Sequence, residues 1–225
     1  MHVRPETTDE KVIDEVLNKN VYEKPKLGFV IQSGERWLDL GANIGTFSLL
    51  ALSRGAEVYA CEPEPNNLKI LENNLDLNFN DYLILPYAIT SGKDKYTKLY
   101  VCSGDYNKYR HTVYPKRGRK AIQVPQYNIR DLLRDIGGVD GIKMDIEGAE
   151  IDILEYLTPD DYMKNGVRKL VFEYSFDIDP SIPRFLAIVK SLREYFDVVE
   201  YSKVKEDELE YRHFPAATLV FCQKN

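Results

Sequence analysis

Three acids, each at the end of a short apolar run, carry the chemistry this chain can be read for. Asp39 sits in the first run, Trp37-Leu38-Asp39-Leu40, and Gly41-Ala42-Asn43-Ile44-Gly45 leads from there into a second apolar run at Thr46. That grammar is strand, tight turn, helix, and in an α/β sheet a ligand sits just beyond the carboxyl end of such a strand. Gly41 and Gly45 suit the turn because a residue without a Cβ accepts positive φ. Glu62 ends the next strand, expected over 56–61, where an acid can accept both hydroxyls of a ribose. Asp145 ends a later strand, expected over 139–145, and the ends of neighbouring central strands converge on one crevice.

The turn discriminates among ligands. A dinucleotide fingerprint needs a middle glycine that is missing here, and a phosphate-cradling loop needs a lysine that Gly45-Thr46-Phe47 does not supply. Asp39 instead suits a ligand ammonium group, through charge-assisted hydrogen bonds. S-adenosylmethionine offers an ammonium and a ribose and carries no phosphate.

Asp145 has three roles open to it: general base, orienting group for a hydroxyl, or ligand of a divalent metal. Hard oxygen ligands favour magnesium, calcium or manganese. Glu173, expected at the end of the strand Lys169-Leu170-Val171-Phe172, is the natural second carboxylate for a metal or an acid–base pair. Glu150 opens a helix, where the helix dipole favours acids. Lys143 reads as structural, pairing with an acid beside its strand.

Asp39 to Phe47, Glu62-Pro63, and Lys143-Met144-Asp145-Ile146-Glu147-Gly148-Ala149-Glu150 together resemble the FkbM family of class I S-adenosylmethionine-dependent methyltransferases, from about Gly34 to Glu173. The K-x-D-x-E-G-x-E run is the more specific motif. The resemblance implies an α/β, Rossmann-like class I methyltransferase fold: a mostly parallel seven-stranded sheet, an antiparallel C-terminal strand, and helices on both faces. It implies cofactor contacts at Asp39, Gly41, Asn43, Gly45, Glu62, Pro63, Ala88 and Asp145, with Tyr87-Ala88-Ile89 against the adenine. Asp145, with Glu173 or His111, would be catalytic. Tyr109, Arg110, His111, Thr112 and Glu147 would face the acceptor, and magnesium or manganese would sit at Asp145 and Glu173.

The remaining elements must position these groups. Residues 1–33 are expected as an N-terminal helical extension, with Thr8-Asp9 capping a helix that runs to about Leu17 and either lids the cofactor site or, as helices at domain ends more often do, covers one side of the sheet. The methyltransferase domain is expected over 34–225. Leu68, Leu71 and Leu75 mark a core-facing helix after Pro65. Strands are expected over 81–88 and 98–102, helices over 128–136 and 180–195, and a closing hairpin over 197–204 and 216–222. His213 lies in the hairpin connection and reads as surface decoration. Between 103 and 120, Lys108, Arg110, His111, Lys116, Arg117, Arg119 and Lys120 interleave with Tyr106, Tyr109 and Tyr114, a substrate-side insertion suited to an anionic or sugar-bearing partner.

Bulk composition bounds the rest. The chain has 225 residues, 44% hydrophobic and 29% charged, as expected of a soluble globular domain. Its net charge of −6 argues against generic nucleic-acid binding. No apolar run approaches the roughly 20 residues of a membrane span, and no signal-peptide core opens the chain, so a cytoplasmic protein is expected. Cys61, Cys102 and Cys222 lack metal-ligand spacing and read as buried free thiols. The expected activity is O-methylation of a hydroxyl on a sugar, glycan or glycosylated natural product. An RNA or nucleoside-phosphate methyltransferase using 103–120, and a catalytically silent interaction module, are the alternatives.

Overall fold

The computed structural model describes residues 1–5, 7–76, 79–101, 111–115, 118–176, 178–201 and 217–225. Tyr109, Arg110, Cys102 and His213 therefore lie outside the described residues. In chain order the strands are β1 (Arg36–Leu40), β2 (Glu57–Cys61), β3 (Tyr82–Leu85), β4 (Ala88–Thr90), β5 (Tyr96–Val101), β6 (Lys120–Asn128), β7 (Gly141–Met144), β8 (Lys169–Ser175), β9 (Val198–Tyr201) and β10 (Ala217–Gln223). The helices are α1 (Asp9–Ile13), α2 (Thr46–Ser53), α3 (Pro65–Asp76), α4 (Ile129–Asp135), α5 (Ala149–Tyr156), α6 (Pro159–Lys164) and α7 (Ile182–Leu192).

Seven strands form the main sheet in the order β3-β2-β1-β7-β8-β10-β9. β10 runs antiparallel to both its neighbours, while the β1, β2, β3, β7 and β8 pairings are parallel. This is the sheet expected from the sequence. The strand order reverses beside β1, which places the crevice of an open α/β sheet at the ends of β1 and β7.

Both faces of the sheet are covered, so its central strands read as continuous apolar runs. Leu38, Leu40, Met144 and Phe172 join the core on one face, packed with residues of α4, α5 and α7. Trp37, Val58, Val171 and Phe221 join the core on the other, with α2, α3 and the N-terminal residues Val16, Tyr22, Phe29 and Ile31. The N-terminal segment thus packs into the second core. Thr8 makes no side-chain cap on α1. Asp9 is instead buried under a forked ion pair with Arg4, and a π-helical turn over Asp14–Asn18 carries Val16 into the core.

The run expected as one strand over 81–88 breaks at Pro86. β3 stays on the main sheet, and β4 leaves it to join a small second sheet of order β4-β6-β5. β6 had no sequence signal because Pro125 interrupts it. Its register explains the tolerance: pairing with β5 ends at Tyr96↔Pro125, and pairing with β4 begins at Ala88↔Gln126. A proline costs a strand little where one ladder hands over to another. Asn128 then caps α4, accepting from Arg130 N–H at 2.9 Å. Among the described residues no helix is long and apolar enough to cross a membrane.

Candidate active site

β1 ends in a turn that only glycine can make. Gly41 has φ +77°, and a Cβ there would lie 2.0 Å from the backbone oxygen of Asp145. The ends of β1 and β7 are pressed together, which brings Asp145 beside the turn. Gly41→Ala is expected to destabilise the fold by at least about 2 kcal/mol, from overpacking and left-handed strain together. A wild-type melting temperature in that variant would count against the close approach. Gly45 has a different duty. It caps α2 at φ +91°, a Cβ on it would meet Leu71 Cδ1 at 2.7 Å, and it does not line the cleft. Its missing side chain lets α2 and α3 pack.

The cleft beyond these strand ends, about 540 Å³ counted with its open mouth, is lined by Gly41, Asn43, Cys61, Glu62, Pro63 and Asn67 from the first two strand ends and α3. Tyr87, Ala88, Ile89 and Leu99 face it from the second sheet and its approach, and His111, Val113, Asp145, Ile146, Glu147 and Ala149 close it. Of the expected cofactor residues, Gly41, Asn43, Glu62, Pro63, Ala88 and Asp145 stand together here.

Glu62 is buried, and its carboxylate is held from three sides. Asn43 N–H donates to Oε2 at 2.8 Å, while Glu64 N–H at 2.9 Å and Asn67 Nδ2 at 3.4 Å donate to Oε1. Burial pushes its pKa up to about 7, against the pull of those donors. A second layer supports the first: Arg4 donates to Asn67 Oδ1 at 2.5 Å and to Asn43 Oδ1 at 3.3 Å. Nothing in the sequence pattern marked Arg4.

Asp39 does not reach the cleft. It pairs in register with Lys143 across the β1–β7 ladder, Nζ lies 3.0 Å from Oδ1, and both side chains are buried. That contact is ionic rather than an aligned hydrogen bond, whereas Ser48 Oγ donates to Oδ2 at 2.7 Å. The carboxylate thus faces Lys143 and Ser48 inside the protein. Lys143 also donates to Gly41 O at 2.9 Å, tying the turn to β7. The expectation that Lys143 is structural agrees with this pairing.

Glu173 does not end its strand as expected. β8 runs on to Ser175, so Glu173 lies inside the strand opposite Leu219 of β10. Strand alternation puts it on the face of Val171 and Lys143, one step beyond the Met144↔Phe172 pair and so on the same side as Asp145, and it also lines a groove with Lys19, Glu23 and Lys24. Between the two acids stands a residue that sequence reasoning missed. Tyr22 donates its hydroxyl to Asp145 Oδ2 at 3.0 Å and packs edge-on to Phe47. Burial, then the charges of Asp145 and Glu173, hold the Tyr22 pKa well above its usual value, so it remains a donor. The neighbours of Tyr22 in sequence give no hint of this role.

Among the described residues no three His, Cys, Asp or Glu stand together as a metal site. The magnesium or manganese expected at Asp145 and Glu173 has no third His, Cys, Asp or Glu grouped with those two among the described residues. His111 lines the cleft, whereas Thr112 serves the backbone, donating to Glu147 O at 2.7 Å. Glu147 has φ +54°, which turns the chain between β7 and α5.

The FkbM methyltransferase domain matches residues 39–199. The chain belongs to the FkbM methyltransferase family. Comparison with curated proteins finds no match. Among solved structures this FkbM methyltransferase is similar to a precorrin-6Y C5,15-methyltransferase from Geobacter metallireducens, with a TM-score of 0.52, 13% identity and coverage of 100% of this chain and 94% of that one. It is also similar to a fibrillarin/Nop5p complex, at 0.50 and 17%, covering 85% and 73%. A SAM-dependent O-methyltransferase from Thermotoga maritima aligns at 0.48 and 17%, covering 95% and 71%. At these identities the likeness is one of fold. Membership of that family makes the chain an S-adenosylmethionine-dependent methyltransferase.

Proposed function

We propose that this FkbM methyltransferase moves the methyl group of S-adenosylmethionine to a hydroxyl of a sugar or glycan, with Asp145 as the group that takes the hydroxyl proton. The observation that carries the cofactor part is the charge of the cleft. Among its described lining residues Glu62, Asp145 and Glu147 are acids, and none is lysine or arginine. Such walls suit a cationic nucleoside and oppose a pyrophosphate. The buried Glu62 carboxylate keeps one acceptor site, on Oε2, beyond its three donors, and the longest of those contacts, Asn67 Nδ2 at 3.4 Å, is the one that a second ribose hydroxyl would displace. Ala88, Ile89, Leu99 and Val113 supply the apolar surface an adenine needs.

The cofactor, when bound, supplies an electrophilic methyl on sulfonium. Asp145 stands at the end of β7 with one oxygen anchored by Tyr22, which limits its rotation and leaves lone pairs for an incoming hydroxyl. As the acceptor oxygen bonds to the methyl carbon and the carbon–sulfur bond breaks, the hydroxyl proton passes to the Asp145 carboxylate. His111 lines the same cleft and is the second group able to receive it.

The test pairs binding with transfer. Asp145→Asn is expected to bind S-adenosylhomocysteine within about threefold of wild type, since the amide keeps the oxygen that Tyr22 bonds, yet to transfer tritiated methyl to neutral glycosides about 10²–10⁴-fold more slowly. A loss smaller than about tenfold would remove Asp145 from the base role.

A further inference from the structure

A second cleft, about 1140 Å³ counted with its mouth, opens beside the first and shares Glu147 with it. The partition is thin: His111 and Val113 line the first cleft, and Thr112 between them lines the second. Behind Glu147, a Cβ on Gly148 would lie 2.8 Å from Ile178 Cγ2 and 3.2 Å from Tyr114 Cδ2, so the ridge between the clefts packs directly on the second one's walls. Glu147 and Gly148, at φ +54° and +106°, both adopt left-handed backbone at this ridge. A non-glycine residue held there is the kind of local strain that functional sites retain.

The polar wall of this cleft is assembled in advance. Arg184 reaches Asp179 Oδ2 at 2.8 Å, Asp152 Oδ1 at 3.3 Å, and both oxygens of Glu155 at 2.6 Å. The Tyr114 hydroxyl donates to the other oxygen of Asp152, and Ser181 N–H donates to Asp179 Oδ1 at 2.8 Å. These bonds hold the rotamers of Asp152, Asp179, Arg184 and Tyr114 before any ligand arrives. Tyr114, Ile151 and Ile178 add apolar surface.

The geometry points to this second cleft as the acceptor site, with a wall that selects a neutral polyhydroxylated ring over an anionic one. The assignment rests on the methyltransferase reading above. Three acids, Glu147, Asp152 and Asp179, face two arginines across the described lining, and the Arg184 charge is already divided among three carboxylates. A phosphate or carboxylate on the acceptor would meet like charge. Ring hydroxyls can donate to Asp152 and Asp179, and the ring's apolar face can pack on Tyr114. An acceptor lying there reaches the first cleft across Glu147.

The closing experiment uses the whole chain. Binding of S-adenosylhomocysteine is measured by calorimetry, and in its presence methyl glycosides of neutral hexoses and 6-deoxyhexoses are compared with the matching sugar phosphates by saturation-transfer NMR. Neutral glycosides are expected to bind and the phosphates not. Asp152→Ala, at a half-exposed helix position, should weaken glycoside binding about tenfold or more through loss of a charged acceptor, with cofactor-product affinity unchanged. Asp152→Lys should shift preference toward the phosphates. Failure of the wild-type protein to bind S-adenosylhomocysteine overturns the methyltransferase reading. Intact cofactor-product binding with no glycoside binding, with equal or better phosphate binding, or with no change in Asp152→Ala overturns the acceptor cleft alone.

Discussion

Replacing Glu62 with alanine is expected to weaken S-adenosylhomocysteine binding by about 10²–10⁴-fold. Two ribose hydroxyls bonded to a buried carboxylate are worth about 1.5–3 kcal/mol each, and roughly 1.4 kcal/mol is tenfold. The carboxylate is preset for that task, with its rotamer fixed by Asn43, Glu64 and Asn67. Its pKa of about 7 adds a pH signature. Only the ionised form accepts from both hydroxyls, so affinity should fall as the pH drops below about 7, with a proton released on binding there. Glu62→Gln should bind weakly with a flat profile between about pH 6 and pH 8. Stability carries the opposite sign. The folded state binds more protons than the unfolded one between the ordinary value of 4.5 and about 7, so the cofactor-free protein loses stability as pH rises through that window. Calorimetric titration across pH checks the first effect and thermal melts the second. A wild-type affinity that ignores pH through this range would remove Glu62 from the ribose.

Lys143→Met should be the most destabilising single substitution in the crevice, by about 3–5 kcal/mol, because it strands the Asp39 charge inside the sheet. Lys143 and Asp39 are 4% and 0% exposed, too dry for water to replace the lost partner. Desolvation is the largest influence on Lys143 and lowers its pKa, but the charges of Asp39 and Asp145, the close Asp39 contact and the Glu62 charge together hold the value above normal. A lysine whose folded pKa is raised contributes stability in full at neutral pH, and that stability fades only as pH climbs through the alkaline range. For a domain of this size the melting temperature should drop by roughly 6–20 °C. The double variant Asp39→Leu/Lys143→Met removes both charges and should regain most of that loss. It should still bind S-adenosylhomocysteine less well, since Gly41 O loses the ammonium that tethers the cofactor turn. A single variant melting within about 2 °C of wild type would show that the pair holds nothing together.

Much of the frame is written locally in the chain. Apolar runs closed by Asp39, Glu62 and Asp145, with glycines after the first, mark three strand ends of one sheet, and the structure sets all three at its crevice or just behind it. Leu68, Leu71 and Leu75 foretold α3, and Asn128 foretold the start of α4. β6 was missed because its proline obscures a strand whose two halves pair with different partners.

The chain alone thus determined most elements of the main sheet, the fold and the family, since hydrophobic period, glycine φ and motif spacing are all local properties. Which face each charged side chain takes was decided only in three dimensions. Asp39 turned inward because β1–β7 register set Lys143 beside it, and Glu173 came to lie inside β8 rather than at its end because pairing with β10 carries that strand on to Ser175. Tyr22 and Arg4 came to the site from the N-terminal segment, ahead of the stretch that matches the family. Register, strand length and segment packing are set by residues far apart in sequence, and only burial of both sheet faces at once selects among them.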